Sequence, residues 1–238
     1  MTSANAILDQ SEDAVATVGK LVQSPRLQCL LNHWSAARGQ RLMPGWPQID
    51  ATEIAPALSI IWSWKYDRAT DRFTGRIAGD EIRSIIGRPI AGMPMSEYFA
   101  GWNYEQIFLR HRRVVAESAI AVERGLVFFR DDHCGLGERL ILPLADDGIH
   151  GDGIIGATAY HLQPASFDGS SDLPQLYQKY RAMLGGTATR YFPLHFSPPQ
   201  RAAFPQLAGG QVTWGQAAWG GAAQEPTAQE QVNTIAAQ

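Results

Sequence analysis

The chain has 238 residues, 45% of them hydrophobic and 18% charged, with a formal net charge of -3. That is an ordinary globular balance, long enough for one domain with appendages, and it lacks the basic surplus by which proteins displace phosphate counterions, so nucleic-acid binding is not expected. The first twenty residues are polar and small, without the features of a secretory leader. No stretch is apolar for long enough to span a bilayer, so a cytoplasmic protein is expected. Two cysteines, Cys29 and Cys134, are too few for a disulfide framework and read as reduced thiols.

Residues 1–23 are expected to be flexible. Ser24-Pro25 then opens a helix, with Ser24 as cap and Pro25 at the first position. Leu27, Leu30, Leu31 and Trp34 follow at helical spacing, and Gly39 ends the run. The stretch Ile49-Asp50-Ala51-Thr52-Glu53-Ile54 carries a capping box between Asp50 and Glu53, closed by Ile49 and Ile54, and predicts a second helix start. From Leu58 to Tyr66 the even positions Leu58, Ile60, Trp62, Trp64 and Tyr66 are apolar, the period of a half-buried strand. Phe73–Ala78 is the returning strand, and Asp80–Ile86 a short helix stopped by Gly87.

A longer helix is predicted from an Asn103 cap to Ala116. Its inner stripe is Tyr104, Ile107, Phe108, His111, Val114 and Val115, and Arg110, Arg112 and Arg113 fall on its outer face. Ala119–Arg130, Glu138–Leu144 and Ile154–His161 read as three closing strands. Local turns between strands argue an antiparallel sheet of five strands with helices on one face, an α+β fold. Residues 166–186 form an amphipathic helix on the Leu173, Leu176, Tyr177, Tyr180 and Leu184 pattern. Residues 187–238 form a low-complexity tail expected to be disordered. In it Trp214 and Trp219 recur in Thr213-Trp214-Gly215 and Ala218-Trp219-Gly220, as candidate partner anchors or as a compositional accident.

Trp34, Arg38-Gly39, Arg41, Pro44 and Ile49-Asp50 resemble the lead-in of a compact bacterial PAS-domain family. Phe73-Thr74-Gly75-Arg76-Ile77-Ala78-Gly79 resembles its strand and arginine-x-alanine-glycine turn. Ile85-Ile86-Gly87-Arg88 with Gly92, Leu140–Leu144 with Asp147-Gly148, and Ile154-Ile155-Gly156-Ala157 resemble its later elements. The resemblance covers Ser24 to His161, within a domain set at 24–165. Ala51 departs from the proline usual in that family. The resemblance implies a PAS-like sheet with an N-terminal helical cap, a ligand cavity between sheet and helices, dimerisation, and signalling to a partner. Such a fold does not name its ligand.

The candidate pocket residues are Trp62, Arg76, Ile85, Trp102, Phe108, His111, Phe128 and Leu142. His111 interrupts an apolar stripe, so it is either bonded to backbone or directed at a ligand. A haem iron is one such ligand. Arg76 and Arg139 lie in strand patterns, where they either face solvent or pair with a carboxylate, or else clamp an anionic ligand. Asp131, Asp132, His133 and Cys134, and Asp146, Asp147, His150 and Asp152, hold ligand-type side chains but fall in turns that need no metal, and no metal site is assigned. The helix Asp80–Ile86 has no cysteine, which argues against photochemical flavin. The Leu27, Leu31 and Trp34 stripe is the expected homodimer or partner surface. No phosphate loop, zincin or nucleophile-elbow motif is present. The favoured function is a non-enzymatic sensor or adaptor that regulates another signalling protein, with a small-molecule ligand as an optional input. The alternative is a cone-like isomerase or dehydratase using His111 with Asp80 or Glu97 as acid and base.

Overall fold

Leu27, Leu30, Leu31 and Trp34 share one stripe of helix α1 (Pro25–Arg38), and all four are buried. The computed structural model describes residues 14–100, 104–129, 133–164 and 188–194, and in it that stripe lies on one face of an antiparallel sheet. The strands are β1 (Ile61–Asp67), β2 (Arg72–Ala78), β3 (Ala119–Phe129), β4 (His133–Leu144), β5 (Gly153–Pro164) and β6 (Ala188–Pro193), in spatial order β2-β1-β5-β4-β3-β6. Helices α2 (Asp80–Ile86), α3 (Met95–Tyr98) and α4 (Tyr104–Ala116) contribute to the core on the other face. The expected α+β class holds.

Each face has its own core. On the cap side, α1 packs on Ile61, Ile120, Val122, Leu140, Leu142, Leu144, Ile155 and Ala157. On the helix side, Ile82, Met95, Tyr98, Val114 and Val115 meet Trp62, Trp64, Phe73, Ala121, Ile141 and Ile154. The alternation of Leu140, Ile141 and Leu142 between the two cores is the period of two that a strand imposes.

Two long-range contacts fix α1. The Trp34 Nε1–H donates to the Pro143 carbonyl at 2.8 Å. The β3–β4 pairing begins at Ala121↔Ile141, so Pro143 lies past it and its missing N–H breaks no bond to β3. At the other end of α1, Ser24 makes no side-chain cap. The Glu138 Oε2 instead accepts the backbone N–H groups of Gln23 and Ser24 at 2.9 and 2.8 Å. A carboxylate there also suits the positive end of the helix dipole.

Several expectations are corrected. The sheet has six strands, because Ala188–Pro193, read from composition as part of the tail, pairs with β3. Asp50 starts no α-helix: its Oδ1 accepts the N–H and Oγ1–H of Thr52 at 2.8 and 2.7 Å, a local turn. A 3-10 helix over Ala55–Ile60 follows, so Leu58 and Ile60 lie outside β1. Ile61, Trp62, Ser63 and Trp64 are all buried, since β1 sits between β2 and β5 with cores on both faces. β4 starts at His133, inside a predicted turn. The interior of α1 is filled by its own domain, so the stripe offered as a dimer surface is closed: Leu27 and Trp34 are 0% exposed and Leu31 1%.

Truncating Trp34 to alanine removes a buried indole and its bond to Pro143. Loss of about 3–5 kcal/mol is expected, measured as a lower urea midpoint. Polar residues at Leu31 and Trp34 are expected to unfold the chain, and not to convert a folded dimer into a folded monomer. Sedimentation with circular dichroism separates the two outcomes.

Candidate functional site

β3 and β4 carry charges at adjacent positions, and the register places them as two opposed pairs: Glu123 faces Arg139, and Arg124 faces Glu138. Successive residues point to opposite faces. Glu138 and Arg124 therefore serve the cap side, where Arg124 Nε donates to Glu138 Oε1 at 2.9 Å and Arg124 Nη2 to the Leu21 carbonyl at 2.6 Å. Glu123 and Arg139 enter the helix side, beneath α4.

Glu123 is 1% exposed there. Its Oε2 accepts Arg139 Nη1 at 2.8 Å, and its Oε1 meets Arg110 Nη1 of α4 at 2.7 Å. Thr189 Oγ1 of β6 donates to Oε1 at 3.2 Å. Arg139 is held at its other nitrogens: Nη2 donates to the Val127 carbonyl at 2.5 Å and Nε to Thr158 Oγ1 at 3.2 Å. The same hydroxyl accepts Trp62 Nε1–H at 3.0 Å. Trp62 reaches it because Gly156 leaves room for the ring; a Cβ at Gly156 would stand 2.3 Å from the indole. Two arginines, one glutamate, two threonines and a tryptophan thus form one linked polar cluster on an otherwise apolar face.

His111 lies beside this cluster. It is 4% exposed, with its ring centroid 5.2 Å from that of Trp62 and 6.2 Å from that of Phe73. Nδ1 is 2.6 Å from the Ile107 carbonyl. A carbonyl only accepts, so Nδ1 carries the proton. Burial lowers the His111 pKa to about 3, with Arg110 and Arg139 adding repulsion, despite the bond to Ile107. Burial pushes the Glu123 carboxyl up, but Arg110, Arg139 and His111 outweigh it and hold it below the ordinary carboxylate range. At neutral pH the site holds an anionic carboxylate between two guanidinium groups, beside a neutral imidazole.

A family model described as PAS domain matches residues 22–159, more than half of the chain. The chain belongs to the PAS domain family. No curated protein and no solved structure matches it. The matched span holds α1 to α4, β1 to β4 and the first part of β5, and β6 lies outside it. The family is sensory and regulatory in general, and its members commonly mediate protein contacts. Among the described residues no helix is long and apolar enough to cross a membrane.

The expected pocket residues of this PAS domain divide. Trp62, Phe108 and His111 come together on the helix side, with Phe108 edge-on to Phe73 at 5.9 Å. Phe128 packs edge-on against Tyr160 at 4.7 Å, on the same face. Ile85 is half-buried on α2, where Ile82 is the buried residue. Two placements are corrected. Leu142 belongs to the cap-side core, because it alternates with Ile141. Arg76 is exposed, its guanidinium 4.2 Å from the centre of the Trp46 ring, and clamps nothing inside. Trp102, Trp214, Trp219 and residues 166–186 lie outside the described residues.

Of the readings for Arg139, pairing with a carboxylate is the one observed. Arg110 was placed on the outer face of its helix, yet its side chain turns down to Glu123, the stem following the apolar surface. Glu123 and Thr158 had no sequence signal beyond polar residues inside strands, and Thr189 fell in the stretch read as tail. The turn at Asp146–Asp152 is closed by its own bonds. Asp147 Oδ1 accepts the N–H groups of Ile149 and His150, which with the His150 ring hold the Asp147 carboxyl at about 2. Asp152 Oδ2 accepts the N–H of Asp146. No metal-ligating group of three occurs among the described residues.

Of the two readings for His111, the bond to backbone is the one observed, with the rings of Trp62 and Phe73 against the imidazole. Its surroundings do not assemble the expected acid–base pair. Asp80 is exposed and bound to Arg83, Glu97 is exposed on α3, and the carboxylate nearest in charge, Glu123, is fixed by two arginines.

Removing Glu123 leaves two buried guanidinium groups without a counter-charge. Glu123→Ala is expected to cost about 3–5 kcal/mol in a denaturant titration. The His111 pKa is depressed in the folded state, so its contribution is complete above the unfolded value of about 6.5 and is lost as pH falls toward 3. Stability should drop by about 1.4 kcal/mol per pH unit below pH 6.5. His111→Phe should flatten that slope between pH 5 and 6.5, where ordinary carboxylates do not titrate. An unchanged slope would show that His111 is not the group responsible.

Proposed function

We propose that this PAS protein is a non-enzymatic regulatory module that acts by contact with another signalling protein. The observation that carries this reading is the mutual pairing of the polar groups on the helix-side face among the described residues. Here Glu123, Arg110, Arg139 and Thr158 satisfy one another, and the His111 Nδ1–H is bound to backbone. Such a face stiffens the domain as a scaffold for surface contacts. The isomerase reading loses support because Asp80 and Glu97, the carboxylates it would pair with His111, are both exposed while His111 is buried.

Native mass spectrometry on freshly purified full-length chain tests this. The expected mass is that of the polypeptide or a whole multiple of it. A stoichiometric small molecule that survives gel filtration and is lost in His111→Phe would replace the adaptor reading with a ligand sensor. The absorption spectrum of the same sample is expected to show no band above 350 nm, and a Soret or flavin band would overturn the reading outright.

A further inference from the structure

Glu138 and Arg124 grip a joint between two helices. Residues 14–21, read from the sequence as part of a flexible N-terminus, are helical, and they precede the residues of the family match. After three linking residues α1 begins. The Glu138 Oε2 accepts the N–H groups of Gln23 and Ser24 at the positive end of α1. Arg124 Nη2 donates to the Leu21 carbonyl, at the negative end of the preceding helix, at 2.6 Å. One ion pair thus sets a charge of the favourable sign against each of two helix ends. Gln28 Nε2 reaches the same joint from α1 and donates to the Val22 carbonyl at 2.8 Å.

Away from this joint the hold is light. Val18 and Val22 are buried, and Ala14 and Val15 pack partly against the cap-side core. These are small side chains beside the Leu27, Leu30, Leu31 and Trp34 that α1 buries, so less apolar surface offsets the ordering of each residue. Gly19 weakens the helix further. It has no left-handed φ, and among the described residues a Cβ there would meet only Leu31 Cδ2, at 3.9 Å, an ordinary contact. Alanine would therefore fit, yet the chain carries the residue that favours the open form inside a helix. The ion pair is also within reach of water, since the Arg124 side chain is 48% exposed.

We infer that residues 14–24 form a strap that opens and closes over α1 without unfolding of the sheet, with the Arg124–Glu138 pair as its clasp. An open strap withdraws two donors from Glu138 and uncovers the side of Leu31 against which Gly19 lies. The ionic grip at the β3–β4 seam and the covering of α1 are then one coupled equilibrium. This inference is independent of whether the protein acts as an adaptor or as a ligand sensor.

Hydrogen–deuterium exchange of the full-length chain across a urea series tests it. Amides of residues 18–24 are expected to exchange through an opening with weak urea dependence, whereas those of β4 and β5 exchange through one with steep dependence. Glu138→Gln keeps the shape and removes the charge, and should speed exchange at 18–24 by about 10–100-fold while leaving β4 and β5 unchanged. Gly19→Ala should slow the same amides by about 2–5-fold. If residues 18–24 share the rate and urea dependence of β4 in the unsubstituted protein, they belong to the sheet's cooperative unit and the inference fails. It fails equally if they show no protection, because the strap then does not close. Equal acceleration of 18–24 and β4 in Glu138→Gln, or no slowing in Gly19→Ala, also overturns it. Should Glu138→Gln not fold, Val18→Ala loosens the strap from its other end and is read in the same way.

Discussion

The carboxylate of Glu123, held between Arg110 and Arg139, is the constraint on which the helix-side face depends. It ties α4 to β3 and β4, and through Thr158 and Trp62 it reaches β5 and β1. It also fixes register. A slip of one residue between β3 and β4 would set Glu123 against Glu138 in one direction and Arg124 against Arg139 in the other. Either slip buries like charges together and sends each apolar side chain to the wrong face. The second pair, Arg124 with Glu138, applies the same lock on the opposite side, and Glu138 also holds the start of α1. Two neighbouring charges on each of two strands thus connect both cores to one pairing.

A buried ionic cluster is a poor source of net stability, because desolvation offsets most of its attraction. Its value lies in specificity, since removing one partner leaves the others buried without compensation. The position of this cluster gives that specificity a functional meaning. It lies beneath α4, beside His111, whose pKa is lowered first by burial and further by the positive charges of Arg110 and Arg139, against the opposing carboxylate of Glu123. The same carboxylate accepts Thr189 of β6, so the strand outside the matched domain is bonded to the polar centre inside it. A change at either end has a short physical route to the other.

Much of the local structure was legible in the sequence because its causes are local. Leu27, Leu30, Leu31 and Trp34 gave α1 by spacing, and Gly87, at φ 77, ended α2 in the left-handed conformation that glycine adopts freely. The inner stripe of α4 was correct through Val115, and the motif order was enough to indicate the PAS family. Where neighbours in space decide, the reading failed. Asp50 and Glu53 had the spacing of a capping box, yet Asp50 bonded to Thr52. Ser24 had the identity of a cap, yet Glu138 did the capping from more than a hundred residues away.

The sequence by itself determined which residues are apolar, their helical or strand period, and therefore the fold class and the inward position of His111. Only the tertiary structure decided what those residues face. It closed the α1 stripe within its own domain, placed Leu142 and Ile141 in different cores, turned Arg110 inward, and brought β6 onto an edge that composition alone leaves open. The physical reason is that periodicity records how a chain alternates, whereas partners across a sheet follow from register and topology. A glutamate in a strand costs several kcal/mol if buried alone and little if two arginines meet it, and their arrival is a property of the assembled fold.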